Sequence, residues 1–418
     1  MFRKLVTLDE ARKIIRQRFS PEPLAIEEIP LSRALSRVVS QDIVATLDIP
    51  PFDRSTVDGY AVKAEDTFGA QENKPVRLKI NGKANVGEMP KAVVKPGTAV
   101  ETVTGAPIPQ GANAVVMLED TELEGDELHV YSAALSGENI MKAGSDIRRG
   151  ETLLRRGSVL GSGEIGTLAA AGLLKIRVNA IPRVAVLSTG AELVKPGRRL
   201  SAGKVYDTNA YSLGAAVAES GGKPIYAGVL PDVATQIQDA LTKALRSADL
   251  VVTSGGVSVG PKDLMPQVLD SLGKPGVIIH GIAIKPGKPV TVASIGEKMV
   301  FSLPGHPASA LLIFHLLVQP VIQTKAGRKP DLPLQLKALA TMKMFPAKGR
   351  RTFIMVRLEM DAAKRLLAEP VPTGLSGAVT TVARADGYVE IAENQQFIDA
   401  GEEVTVNLLK APRPSYIE

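Results

Sequence analysis

The stretch A-D-L-V-V-T-S-G-G-V-S-V-G-P-K-D-L-M-P-Q-V-L-D-S-L-G, residues 248–273, decides the fold. Residues 250–253 form a short apolar run rich in β-branched side chains, as in a strand buried on both faces. Ser254, Gly255 and Gly256 follow at once, and glycines there let a ligand approach the backbone closely. Asp263 stands before a helical pattern (Leu264, Val268, Leu269, Leu272), and Pro266 is tolerated in a first turn. Strand, glycine loop and helix start make the anion cradle of α/β proteins. A second strand is expected over 277–284, running into Lys285-Pro286-Gly287-Lys288, whose two ammonium groups suit a phosphate or another oxyanion. This is neither a Walker loop nor a G-x-G-x-x-G fingerprint.

Working outward, residues 183–322 alternate strand and helix. Strands are expected at 184–187, 224–229, 250–253 and 299–303, and helices at 210–220, 233–246 and 308–322. Thr208 or Asn209 is expected to cap the first of these helices, and Pro307 suits the first position of the last. Alternating βα units argue for a doubly wound, mainly parallel sheet with helices on both faces. Ligands then sit beyond the carboxyl ends of the strands. The loops 188–192, 230–232, 254–263, 285–288 and 304–307 should converge on that edge.

Towards the N-terminus, residues 7–19 read as an amphipathic helix capped by Thr7 with Glu10 three residues later. A shorter helical pattern covers 31–39. Residues 74–131 carry short strands punctuated by Gly and Pro and read as a small all-β module. A helix is expected at 163–173, with Glu164 early, where the dipole favours a carboxylate. Ile181-Pro182 marks a domain boundary. Towards the C-terminus, Lys329-Pro330-Asp331-Leu332-Pro333 is a linker, and 334–410 alternates like a small β-barrel or sandwich.

The 418 residues suffice for several domains. With no cysteine, disulfides, thiolate catalysis and cysteine-ligated zinc are excluded. The four histidines form no H-x-x-x-H pair, so a histidine metal site is not expected, while oxygen-ligated Mg²⁺ remains open. The net charge of +6 is modest, and aromatics do not interleave with the basic clusters. That argues against nucleic acid and for small anionic ligands. The N-terminus lacks the apolar core of a signal peptide, and no apolar run reaches the roughly 20 residues of a membrane span, so a cytoplasmic protein without a membrane partner is expected.

Seven stretches together resemble the MoeA family of molybdopterin molybdenumtransferases, which includes the E domain of gephyrin. They are P-F-D-R-S-T-V-D-G-Y-A-V (51–62), T-G-A-P-I-P-Q-G-A-N-A-V-V (104–116), S-T-G-A-E-L (188–193), Y-D-T-N (206–209), S-G-G-V-S-V-G-P-K-D (254–263), I-K-P-G-K-P (284–289) and L-P-G-H-P-A-S-A (303–310). They occur in the family's order along almost the whole chain. The resemblance implies four domains: 1–46 with 147–178 (mixed α/β), an inserted β-rich module at 47–146, an α/β domain at 179–326, and a C-terminal β domain at 327–418. It implies a homodimer whose active site lies between the α/β domain of one chain and the β module of the other. The implied reaction inserts molybdate into adenylated molybdopterin, with Mg²⁺-dependent hydrolysis of the adenylate and release of AMP.

By the same resemblance, Asp58, Thr104, Asp146, Glu192, Asp232 and Asp263 are expected in the active site, with Asp263 and Glu192 on the metal. Ser254, Gly255, Gly256, Lys285, Lys288, Gly305, Arg351 and Ser376 are expected to bind substrate. Relatives often carry lysine at the position of Gly281, and asparagine or tyrosine at that of His306. The family's domain IV arginine falls by spacing on Met355, so Arg350, Arg351 or Arg357 must serve, and tungstate stays open as the substrate. A molybdopterin adenylyltransferase is a conceivable partner. Rival readings are an adenylyltransferase or nucleotide hydrolase on the same α/β domain, and a gephyrin-like scaffold.

Overall fold

The computed structural model describes residues 5–18, 22–256, 264–372, 379–409 and 415–416. The chain divides into two compact units, one of residues 1–28, 36–40 and 177–418, the other of residues 29–35 and 41–176.

In the first unit the six-stranded sheet forms as its alternating pattern predicts. Strands Arg183–Thr189, Lys223–Leu230, Leu250–Ser254 and Lys298–Leu303 run parallel, with Arg183–Thr189 and Leu250–Ser254 central. These strands read as unbroken apolar runs because helices cover both faces. Val184, Val186, Leu250, Val252 and Phe301 pack into one cluster with Leu213, Val217 and Leu312. Their neighbours Ala185, Leu187, Val251 and Val300 pack on the opposite face against Ile237, Leu241 and Leu269. Adjacent residues thus enter different cores, as the strand period of two requires.

The far edge of the sheet departs from expectation. The strand expected over 277–284 is Pro275–His280, and it ends at Gly281, whose φ is +90°. A second strand, Thr291–Ile295, pairs antiparallel with it and with Lys298–Leu303. The segment after Gly281 leaves this sheet, and Ile284–Lys285 pairs with Arg351 and Thr352 of the C-terminal barrel. Periodicity could not place the break because apolar residues stand on both sides of His280 and Gly281, in Val277 to Ile279 and again in Ile282 to Ile284.

Residues 307–325 form one helical run of mean hydropathy 1.3, and 67% of its most apolar window is buried within the protein. By length and composition this run passes the test for a membrane span, although no apolar run of that length is expected from the sequence. Its burial marks a core helix: Leu312, Phe314, Leu317 and Val318 sit in the cluster beneath the sheet. A π-turn at Phe314–Val318 absorbs one extra residue before Pro320, where the missing N–H would otherwise break the ladder.

The N-terminal helix Leu8–Arg18 buries Leu8, Ala11 and Ile15 in the same cluster. Its capping box is present: Thr7 N donates to Glu10 Oε2 at 2.8 Å, and Glu10 N donates to Thr7 Oγ1 at 3.2 Å. Strands Gln335–Ala340, Arg351–Met360, Leu366–Pro370, Gly387–Ile391 and Glu403–Leu408 close into a five-stranded barrel around Ala338, Val356, Leu358, Val389 and Val406.

In the second unit a six-stranded sheet runs in the order Ala114–Met117, Gly59–Val62, Thr98–Thr102, Val76–Ala84, Glu127–Val130, Thr121–Glu124. The β module therefore also contains Gly59–Val62, upstream of the 74–131 segment the strand pattern suggested. The short helix expected over 31–39 reduces to a single 3-10 turn at Leu31–Arg33. The expected helix at 163–173 is Ser162–Ala170, with Glu164 accepting from Gly161 N at 2.9 Å.

Candidate active site

The carboxyl ends of the parallel strands open onto a cleft of about 810 Å³. Each strand end contributes: Thr189 and Gly190, Ser254 to Gly256, and, past Leu303, Gly305 and His306. Asp232 follows the strand Lys223–Leu230, and Glu192 precedes the short strand Leu193–Val194. Two helices start at the cleft, Asn209–Glu219 and the run from Pro307, so both bring the positive ends of their dipoles to it.

Gly255 is the floor. Its φ is +91°, and a Cβ there would lie 2.1 Å from the carbonyl oxygen of Thr189. Only glycine admits this approach, and the approach holds the ends of two parallel strands together. Gly255 N donates to Leu303 O at 3.2 Å, which ties in the third strand end.

Beneath the floor lies a buried polar network. Asp207 accepts from Ser188 Oγ at 2.9 Å and from Ala210 N at 3.1 Å. The helix Asn209–Glu219 is therefore capped by Asp207, in place of the expected Thr208 or Asn209. Asn209 instead turns its amide inward and donates to Ser254 Oγ at 2.6 Å and Gly305 O at 2.7 Å.

Of the expected site residues, Glu192, Asp232, Ser254, Gly255, Gly256 and Gly305 share this cleft. Asp263 and Ser376 lie outside the described residues. Lys285 and Lys288 do not line the cleft, because the chain left the α/β sheet for the barrel before reaching them. Lys285 is exposed beside Arg351 and Thr352, while Lys288 is half-buried. Arg351 is held by Asp9 at 2.8 Å, Glu393 at 3.1 Å and Glu390 at 3.3 Å. Three carboxylates outweigh its single charge, so its guanidinium ties the N-terminal helix to the barrel. Arg357 likewise pairs with Glu359, and with Glu369 at 2.8 Å.

In the second unit Asp58 and Thr104 meet. Asp58 Oδ1 accepts from Thr104 N at 2.6 Å and from Thr104 Oγ1 at 2.9 Å. The backbone N–H and then the hydroxyl hold the Asp58 carboxyl below its ordinary value, although it is exposed. A depressed carboxylate pKa means that Asp58 keeps its charge to lower pH than an unperturbed aspartate does. Thr104→Val removes the hydroxyl bond and keeps the backbone one. Asp58 should then titrate higher than in the wild type but still below a free aspartate, as followed by carboxyl NMR. An unchanged titration would show that the hydroxyl contributes nothing. Asp146 lines a separate cleft with Ile49, Pro50, Arg54 and Met141.

Asn209, Thr189, Asp207 and His306 were not singled out as site residues from the sequence. The signal for Asp207 and Asn209 was present in Y-D-T-N, but a polar pair before a helix reads as a cap. Thr189 falls in the loop 188–192 expected at the cleft edge, where nothing in the sequence sets it apart; in the structure it is the last residue of the strand Arg183–Thr189.

Glycine floor, two helix starts and two carboxylates at the carboxyl edge of a parallel sheet define an α/β protein whose ligand cleft lies beyond its strand ends. Three family descriptions match the chain: "MoeA N-terminal region (domain I and II)" over residues 6–172, "Probable molybdopterin binding domain" over 185–324, and "MoeA C-terminal region (domain IV)" over 337–409. The molybdopterin molybdenumtransferase of Haemophilus influenzae is 33% identical, over 96% of this chain and 98% of its own. That of Bacillus subtilis is 32% identical, over 92% of this chain and 90% of its own. The chain belongs to the MoeA family, the molybdopterin molybdenumtransferases, and is an enzyme of molybdenum cofactor biosynthesis. A crystal structure of the molybdopterin biosynthesis MoeA protein from Pyrococcus horikoshii is 43% identical, with TM-score 0.84 over 98% of this chain and 100% of that one.

Proposed function

We propose that this enzyme inserts molybdate, or tungstate, into adenylated molybdopterin and hydrolyses the adenylate with Mg²⁺, releasing AMP in the cytoplasm. The observation that carries this reading is the 810 Å³ cleft, where a glycine floor, two helix N-termini and two carboxylates converge. The helix start at Pro307, with its positive dipole end at the cleft, suits the phosphates of the substrate.

Glu192 and Asp232 are hard oxygen donors in one cleft, and this donor set fits Mg²⁺, which commonly uses one or two carboxylates and keeps several waters. Among the described residues no cluster of three His, Asp or Glu groups could hold a metal. Asp263, expected with Glu192 on the metal, lies outside the described residues. When bound, Mg²⁺ would neutralise phosphate charge and polarise the phosphoryl oxygen. Glu192 and Asp232 would orient the attacking water, and the helix start at Pro307 would hold the phosphate in line with it. No covalent nucleophile is required.

Lys285 and Lys288 are read as the docking point for the oxyanion. Arg351 is a weak candidate for it, since it faces three carboxylates of its own chain. The wider reading keeps the four domains of the resemblance and a homodimer in which Asp58, Thr104 and Asp146 complete the partner's site. A molybdopterin adenylyltransferase would supply the substrate.

The test is AMP release. Wild-type protein given adenylated molybdopterin, Mg²⁺ and molybdate should release AMP, and omission of Mg²⁺ should stop it. Glu192→Gln should lower the rate by about 10²-fold or more while leaving the melting temperature unchanged. A variant as active as wild type would remove Glu192 from the chemistry. Wild-type protein that releases no AMP would overturn the reading.

A further inference from the structure

Two polar atoms of the cleft wall have no partner. Asn209 is 7% exposed and Thr189 3%. Asn209 Nδ2 spends both hydrogens, on Ser254 Oγ and Gly305 O. Gly305 O is acceptor only, and Ser254 Oγ itself donates to Pro304 O at 3.2 Å, which fixes the orientation of the amide. That leaves Asn209 Oδ1 buried with nothing donating to it. Thr189 Oγ1 is also buried without a partner. Cβ atoms on Gly255 and Gly256 would lie 3.1 and 2.7 Å from it, so the glycine floor is what leaves room beside this hydroxyl.

A buried polar atom left unmet is costly, and two in one ligand cleft mark a place where the ligand supplies the partners. Asn209 Oδ1 can only accept, whereas Thr189 Oγ1 can accept or donate, so an ionised phosphate could serve Thr189 but would set acceptor against acceptor at Asn209, and the pair is met together by a group that carries N–H donors. We infer that Asn209 Oδ1 and Thr189 Oγ1 receive N–H donors from the edge of a planar nitrogen heterocycle, and so set the enzyme's preference for an amino-bearing ring. This rests on the proposed function, in which both ends of the substrate, adenine and pterin, carry an exocyclic amine. A site built to bond an N–H rejects analogues that lack it far better than an apolar slot does.

The experiment measures binding to the full-length protein by calorimetry with two probes, AMP and 6-hydroxymethylpterin. Each is compared with its counterpart lacking the amine, purine riboside monophosphate or the matching lumazine. Thr189→Val keeps the shape of the side chain and removes a hydroxyl that bonds nothing in the protein, so its melting temperature should equal or exceed that of wild type. One amino probe should bind this variant about fivefold to tenfold more weakly, with its preference over the counterpart reduced. Thr189→Ser should restore both. The probe affected tells which end of the substrate lies there. Wild-type affinity of Thr189→Val for both probes overturns the inference and leaves the proposed function standing. Loss of binding to Mg²⁺ alone, with both probes unaffected, also overturns it. Wild-type protein that binds neither probe overturns the functional reading and the inference with it.

Discussion

Gly255→Ala is expected to abolish AMP release and to destabilise the α/β domain by about 2–5 kcal/mol. Two costs combine. A non-glycine residue at φ +91° pays roughly 1–2 kcal/mol for its backbone. Its Cβ would also lie 2.1 Å from Thr189 O, a backbone atom that moves only if a strand end moves, and overpacking of this kind costs about 1–3 kcal/mol. Moving that strand end displaces the cleft floor, and a shift near 1 Å in a reacting group's support costs about 10²-fold in rate. Gly228→Ala is the control. It has a similar φ of +105°, yet a Cβ there meets nothing within 4 Å. It should pay the backbone cost alone and keep its activity. Denaturant melts and AMP release on both variants check this. Equal behaviour would mean that the close approach at Gly255 carries neither stability nor function.

Asp58→Asn and Glu192→Gln should each be inactive and should complement one another on mixing. The expectation follows from the proposed homodimer, in which Asp58 of one protomer serves the cleft of the other. Each variant alone leaves every site short of one carboxylate. In a mixed dimer one site has both groups intact and the other has neither. With random exchange half of the dimers are mixed and half of their sites are whole, so activity should recover to about a quarter of wild type. Activity that stays at zero, with subunit exchange shown by a mass-tagged protomer, would place both carboxylates in the same chain's site.

The core α/β fold was legible because its signals are local. Val184, Val186, Leu250 and Val252 alternate with Ala185, Leu187 and Val251, and a sheet covered on both faces needs an unbroken apolar run. Ser254-Gly255-Gly256 was legible as a place where something approaches the backbone closely, but the neighbour that the structure shows against Gly255 is the carbonyl of Thr189. The capping box at Thr7 and Glu10 was legible because all its partners lie within one helical turn. The matching stretches in family order made the enzyme class legible as well.

Other features were decided only in three dimensions. Whether a lysine loop faces a cleft depends on which sheet its strand joins, and Ile284–Lys285 joined the barrel. Arg351 looked like a free cation until Asp9, 342 residues away in sequence, came to lie against it together with Glu390 and Glu393. The cap of the helix Asn209–Glu219 passed to Asp207 because Ser254 and Gly305 claimed the Asn209 amide. The unmet atoms of Asn209 and Thr189 are likewise products of packing. A residue's type sets how many hydrogen bonds it can make, but only its neighbours in space determine which remain for a ligand.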